Sequence, residues 1–317
     1  MKTLIFYHND VDGLTSALGF TYNDYMQNHD NKIPSYEDLR KNYFFFEVHY
    51  GIKNIFEYFS DCGFDWDRFD RVVVLDFCFN KNIMLQLLEK YKENFIWFDH
   101  HKNTIDELSK YDIPGMRHDL MATSTIVWRY FNKKPCLFSR YVEDMDIWKW
   151  ELPNSNEILQ YVDFLYMQIN DKDNPEKEFE IINLFLKYFN DEYFNSQIAE
   201  ITNHGKLIDV YIKTKVKDDI NKGKKTTFEG YNAFVLNSQF KPGFVSDYIF
   251  NNKDYDDIEL VIVWYKSYAK SGEKQNFDKV SLRSKTIDCS EIARKYGGNG
   301  HPKASGFVIS DIDDIIQ

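Results

Sequence analysis

A four-residue apolar run, Phe95-Ile96-Trp97-Phe98, breaks directly into Asp99-His100-His101-Lys102. A buried strand gives a rigid platform and the loop after it gives access, so a carboxylate and two imidazoles at that junction suit a metal ion. Alone, adjacent histidines after a strand read equally well as a polar loop. The same junction recurs, however. A predicted strand over 3–7 ends in His8-Asn9-Asp10-Val11-Asp12-Gly13, and the Val-rich run 71–77 carries Asp76 near its far end. Helices are predicted over 14–27, 54–60 and 82–91, with a further strand over 43–49. Strand and helix alternate, which predicts an α/β domain with a largely parallel sheet flanked by helices. Ligands of such sheets bind outside the carboxyl ends of the strands, where these acidic and imidazole residues fall.

Beyond the triplet, a helix over 122–131 has Thr123, Ser124 and Thr125 in its first turn. Amides exposed there can receive an anion or simply be N-capped. The next stretch carries Glu143, Asp144 and Asp146 among Tyr141, Val142, Ile147 and Trp148, and charges in aromatic surroundings need partners. From 156 to about 223 the pattern is helical and charged, and its Lys-rich end reads as a solvated helix face and turn. Two domains joined by a connector follow: 1–190 as a metal-binding domain, 191–225 as a helical connector and 226–317 as a smaller α/β domain. Strands are predicted in the last over 233–236, 260–265 and 279–283, and helices over 245–250 and 290–296. The run Gly297-Gly298-Asn299-Gly300-His301-Pro302-Lys303-Ala304-Ser305-Gly306-Phe307 then reads as a loop whose backbone N–H groups face an anion, with His301 as an added donor.

Composition narrows the class. The 317 residues are 43% hydrophobic, enough for a core in each of two domains. Cys62, Cys78, Cys136 and Cys289 form no Cys-x-x-Cys pair, which argues against a zinc ribbon or a disulfide framework. The opening apolar run is too short for a signal peptide or a membrane span, so a soluble, cytoplasmic protein with no membrane partner is expected. A formal net charge of −11 argues against a broad grip on duplex DNA. It leaves room for short RNA or a small phosphorylated nucleotide, because clustered carboxylates holding divalent cations make a site far less negative than its chain.

Taken together, the His8 to Gly13 run, Asp76, Asp99-His100-His101, Asp144 and the Gly297 to Phe307 run resemble the DHH phosphoesterases that carry a C-terminal DHHA1 domain. The likeness spans nearly the whole chain in the right order. Within that superfamily the sequence looks most like the small oligoribonucleases that degrade very short RNA, with the branch hydrolysing cyclic dinucleotides or 3′-phosphoadenosine 5′-phosphate close behind. The resemblance implies two divalent ions, Mn²⁺ first, with Mg²⁺ or Co²⁺ as alternatives. By motif, His8, Asp10 and Asp76 would hold one ion, and Asp12, Asp76, His100 and Asp144 the other, so that Asp76 bridges. Asp146 is the rival for Asp144. Asp144 is favoured because its place before an apolar run better matches the family's fourth motif.

Two ions suit a phosphodiester because it resists attack through its own negative charge. They lower the pKa of a water, neutralise the phosphate and steady the leaving oxygen. The resemblance gives His101, Asp99 and Asp12 catalytic roles: His101 would bond the phosphate or protonate the leaving group, and Asp99 would orient the histidines. Arg283, Gly298, Gly300 and His301 would bind substrate in the second domain, with Ser305 as a secondary candidate. Asn299 interrupts the family's glycine run, but Asn tolerates left-handed backbone. The rival from another class is a non-catalytic nucleic-acid-binding scaffold; every expected ligand position is filled here, which weighs against it. Whether the chain forms a homodimer is left open.

Overall fold

The computed structural model describes residues 1–49, 54–60, 63–169, 174–239, 242–267 and 277–316, so Cys62 and part of the helical stretch after 156 lie outside the described residues. It divides into two units, Met1–Lys206 and Leu207–Gln317. The first contains strands β1 (Thr3–His8), β2 (Tyr43–Val48), β3 (Arg71–Leu75) and β4 (Phe95–Phe98). They form one sheet in the order β2-β1-β3-β4, parallel throughout, as alternating strands and helices predict. Because β2 lies on one side of β1 and β3 on the other, the strand order reverses between β1 and β3. A crevice opens at such a reversal, beyond the carboxyl ends of the two strands. His8 ends β1 and Asp76 follows β3, so both stand at it.

Helices α1 (Val11–Asn28), α2 (Tyr36–Arg40), α3 (Ile55–Ser60), α4 (Lys81–Tyr91), α5 (Lys102–Leu108), α6 (Thr123–Tyr130), α7 (Leu137–Asp146), α8 (Ser155–Ile169), α9 (Pro175–Tyr188) and α10 (Asp191–Ile220) connect and follow the strands. Alternate strand residues point to opposite faces. Ile5, Tyr7, Val73, Leu75, Ile96 and Phe98 therefore pack with α1, α6, α7, α8 and α9, while Leu4, Phe6, Val72, Val74, Phe95 and Trp97 pack with α3, α4 and α5. Each such side chain removed from water contributes roughly 1.5–3 kcal/mol. The amino ends of the strands are tied differently. The buried Arg71 guanidinium donates to both carboxylate oxygens of Asp24 and, from Nε, to Thr3 Oγ1 at 3.0 Å, while Tyr43 Oη donates to Asp24 Oδ2 at 2.6 Å.

The second unit holds β5 (Lys224–Phe228), β6 (Tyr231–Asn237), β7 (Leu260–Ser267), β8 (Phe277–Arg283), β9 (Asn299–His301) and β10 (Ala304–Ile309), with α11 (Pro242–Phe250) and α12 (Cys289–Lys295). Its sheet runs β5-β6-β7-β8-β10-β9, with β6 and β7 parallel and the other neighbours antiparallel. Val235, Ile262, Val280 and Leu282 pack on α12, and Phe234, Leu236, Val261 and Val263 on α11 and the end of α10. Two expectations change. The stretch expected as a connector over 191–225 is mostly the single helix α10, and the division into units falls inside it. The glycine run expected as a loop is largely the β9–β10 hairpin.

Candidate metal centre

His8 is the last residue of β1 and Asp10 is the N-cap of α1, so the predicted polar loop is shorter than its sequence suggests. One Asp10 oxygen accepts the Gly13 amide at 2.8 Å, and the other lies 2.6 Å from His8 Nδ1. This tight entry needs Gly13: a Cβ there would sit 2.1 Å from the His8 carbonyl oxygen. The early start of α1 puts Asp12 in its first turn, where it is buried. Asp76 leaves β3 with a φ of 55°, a left-handed conformation that Asp tolerates better than most residues. Its amide donates to the Phe98 carbonyl at 2.9 Å, tying the ends of β3 and β4 together.

Asp76 then reaches both histidines, with Oδ2 3.7 Å from His8 Nδ1 and Oδ1 3.2 Å from His100 Nε2. The first ligand group is His8, Asp10 and Asp76 and the second is Asp12, His100 and Asp146, while Asp76 also lies in a third with Asp99 and His101, the donor atoms of each within 4.8 Å of one another. Asp146 rather than Asp144 joins the second group, with Oδ2 3.3 Å from His100 Nε2. The reason is local. α7 ends at Asp146, and the Asp144 carboxylate accepts the amides of Glu151 and Leu152 at 2.9 and 3.2 Å in the chain beyond it. Residues two apart on a helix point to different sides, so one of the pair faces the site and the other holds the turn.

The N-terminus of α6 does receive an anion, and that anion is Asp12. Its carboxylate accepts the Thr123 and Ser124 amides at 2.9 and 3.0 Å, which satisfies two helix-end donors that carry no side-chain cap of their own. The Thr123 hydroxyl donates to Asp76 Oδ1 at 3.2 Å. Sequence reasoning noticed this first turn but not its partner, because the two segments are 111 residues apart.

Asp99 is fully buried and organises the triplet. Oδ1 accepts the His100 and His101 amides at 2.8 and 3.1 Å and lies 2.7 Å from His101 Nδ1, while Oδ2 accepts the Thr104 hydroxyl at 2.8 Å. Burial pushes its carboxyl up, but His101 and these hydrogen bonds more than offset this and hold it below the usual range. Asp76 goes the other way: burial, with Asp12 and Asp10 nearby, pushes it well up. Burial also raises Asp146; His100 opposes this, and Asp12 and Asp76 reinforce it. Burial would lower His8, yet Asp10 beside it brings it up to about 11.

The residues fit divalent cations. Repelling carboxylates gathered with two imidazoles, and no thiolate in either group, is a hard oxygen and nitrogen donor set. Asp146 Oδ2 is buried and accepts no hydrogen bond among the described residues while lying 3.3 Å from His100 Nε2, so an unsatisfied oxygen and an imidazole nitrogen meet in a donor set that suits a cation.

The predicted substrate residues all lie in the second unit. Arg283 ends β8, partly buried, and donates to the Leu282 carbonyl at 2.9 Å. The Gly297 and Gly298 amides, expected to face an anion, instead donate to the Arg294 and Ala293 carbonyls at 3.1 and 2.8 Å and close α12. Gly300 pairs with Ser305 across the hairpin at a φ of 141°, where a Cβ would lie 2.6 Å from the Ala304 carbonyl. Close strand approach therefore accounts for that glycine. His301 ends β9, and its carbonyl accepts the Ser305 hydroxyl at 2.7 Å.

No family model matches the chain. It is 26% identical over 263 residues to the uncharacterised protein R106 of Acanthamoeba polyphaga mimivirus, covering 77% of this chain and 54% of that protein, so the chain spans about half the length of the curated relative it matches. Among solved structures it is similar to RecJ from Thermus thermophilus in complex with Mn²⁺, with a TM-score of 0.50 at 14% identity over 97% of this chain and 49% of that one. The chain shares the fold of that RecJ structure. A pGpG-specific phosphodiesterase, PggH from Vibrio cholerae, is also similar, with a TM-score of 0.49 at 15% identity over 99% of this chain and 95% of that one. In this chain the triplet Asp99-His100-His101 stands after β4, at the carboxyl edge of the sheet that also presents His8 and Asp76.

Proposed function

We propose that this chain is a two-metal phosphodiesterase that hydrolyses short oligoribonucleotides to nucleoside monophosphates. The observation that carries the reading is the pair of ligand groups joined through Asp76 at the reversal of strand order. His8, Asp10 and Asp76 would hold one divalent ion, and Asp12, His100 and Asp146 the other, with Mn²⁺ favoured by the donor set and by the Mn²⁺ complex of the similar RecJ. Such ions lower the pKa of a water and neutralise phosphate charge.

This chain's own residues do the rest. Asp99 fixes the ring of His101 through Nδ1, so the imidazole is positioned to bond a phosphate oxygen or to give a proton to the leaving oxygen. Asp99 itself, held below the usual carboxylate range, stays charged and keeps that ring oriented. Arg283 is assigned to phosphate recognition: no carboxylate neutralises it among the described residues, and a guanidinium fork suits two oxygens. The net charge of −11 supports a short substrate over a long polyanion.

A Mn²⁺-dependent assay on a labelled RNA dinucleotide tests the proposal, set beside cyclic di-AMP, 3′-phosphoadenosine 5′-phosphate and a long single strand. Release of mononucleotides from the dinucleotide, abolished by Asp76→Ala, is expected. Activity on the cyclic or monomeric substrate alone would refute the oligoribonuclease reading and keep the phosphoesterase; activity on none would refute both.

A further inference from the structure

We propose that Trp148 is a stacking surface for a nucleobase of the substrate, an inference that rests on the phosphodiesterase reading. Trp148 lies two residues beyond Asp146, so their Cα atoms are at most about 7 Å apart. That distance keeps it near the second ligand group, since Asp146 Oδ2 is 3.3 Å from His100 Nε2. Despite its size, Trp148 is 44% exposed. It also sits in left-handed backbone, φ 60°, as does Trp150 at φ 56°. For a bulky residue that conformation is a genuine outlier and persists only where its surroundings impose it.

The surroundings here are identifiable. The Asp144 carbonyl accepts the Lys149 and Trp150 amides at 2.8 and 3.2 Å, and its carboxylate accepts the next two amides. Lys149 Nζ donates to Glu143 Oε1 at 2.7 Å, turning that cation back onto α7. Trp150 is partly buried and packs against the main core of the first unit. Its ring meets Trp148 edge-on, with centroids 5.1 Å apart and planes at 82°, and that contact leaves at least one face of Trp148 uncovered. A turn held at this many points while one indole, two residues from the candidate ligand Asp146, stays exposed is explained by a base stacking on it. Such stacking tolerates any base, because every base has a π face. Asp144 thus becomes a positioning residue for the turn.

The test uses the full chain with Trp148→Ala and Trp148→Phe. With Mn²⁺ and the RNA dinucleotide, Trp148→Ala should raise KM about tenfold with little change in kcat, and Trp148→Phe should recover most of the loss. Titration of the protein with adenosine 5′-monophosphate should quench tryptophan fluorescence saturably, and the quench should vanish in Trp148→Ala. Should wild type hydrolyse the dinucleotide while Trp148→Ala keeps its KM, stacking is overturned and the phosphodiesterase stands. Should wild type hydrolyse nothing, the phosphodiesterase reading falls and the fluorescence titration decides stacking by itself: a quench lost in Trp148→Ala supports it, and one retained or absent in wild type overturns it.

Discussion

Asp144 and Asp146 differ in what their carboxylates meet, and substitution should separate them. Asp146→Ala removes a candidate ligand and should lower Mn²⁺ affinity sharply, as read by calorimetry. Asp144→Ala leaves two amides without their charged acceptor and should cost about 3 kcal/mol of stability in denaturant unfolding, with a far smaller effect on Mn²⁺. Equal losses of Mn²⁺ affinity would contradict the assignment. Protonation at the site gives a second residue-scale expectation. Asp76 is pushed well above its ordinary 3.8, so the folded metal-free chain holds a proton that the unfolded chain has lost, and its stability falls as pH rises above about 4. His8 acts in the same direction: its contribution is complete below 6.5 and is lost as pH passes about 11. Mn²⁺ needs both groups deprotonated, so binding should release protons, and the rise in Tm on adding Mn²⁺ should grow between about pH 5 and 8. Calorimetry in buffers of different ionisation enthalpy checks the release; binding heats that ignore the buffer would contradict it.

At the scale of elements, the strand ends were legible because each carries its own chemistry: β1, β3 and β4 stop where apolar residues give way to His8, Asp76 and Asp99. The start of α1 was misplaced by three residues, 14 against Val11, because its cap, Asp10, is also a candidate ligand. Three strands, β5, β9 and β10, escaped the sequence, the first two for identifiable physical reasons. β5 begins with Lys224 and Lys225, and lysine at a sheet edge discourages unwanted pairing while reading as a solvated turn. β9 is a three-residue edge strand whose one glycine, Gly300, serves close backbone approach and so imitates a loop. Asp12's grip on α6 could not be read at all, since nothing local joins segments that far apart. Packing at the start of α1 makes Gly13→Ala an informative change. The added carbon meets backbone that cannot rotate away, so a loss of about 3 kcal/mol is expected, with weaker Mn²⁺ binding as His8 and Asp10 part. Unchanged stability would show that the helix entry is looser than its geometry.

Across the first unit, the two edges of the parallel sheet have separate tasks. The amino edge is fastened by Asp24, Arg71, Thr3 and Tyr43, and the carboxyl edge gathers ligands. Asp24→Ala should therefore destabilise the fold by about 3–5 kcal/mol, because it strands a buried guanidinium, yet leave the Mn²⁺ affinity of the remaining folded protein near that of wild type. A drop in affinity matching the loss of stability would couple the two edges. No described helix is long and apolar enough to cross a membrane. The measurement that bears most directly on the central claim is anomalous X-ray scattering at the manganese edge from crystals grown with Mn²⁺. Two peaks are expected, one within ligand distance of His8, Asp10 and Asp76 and the other of Asp12, His100 and Asp146. A single peak, or peaks away from Asp76, would contradict a paired site bridged by that carboxylate.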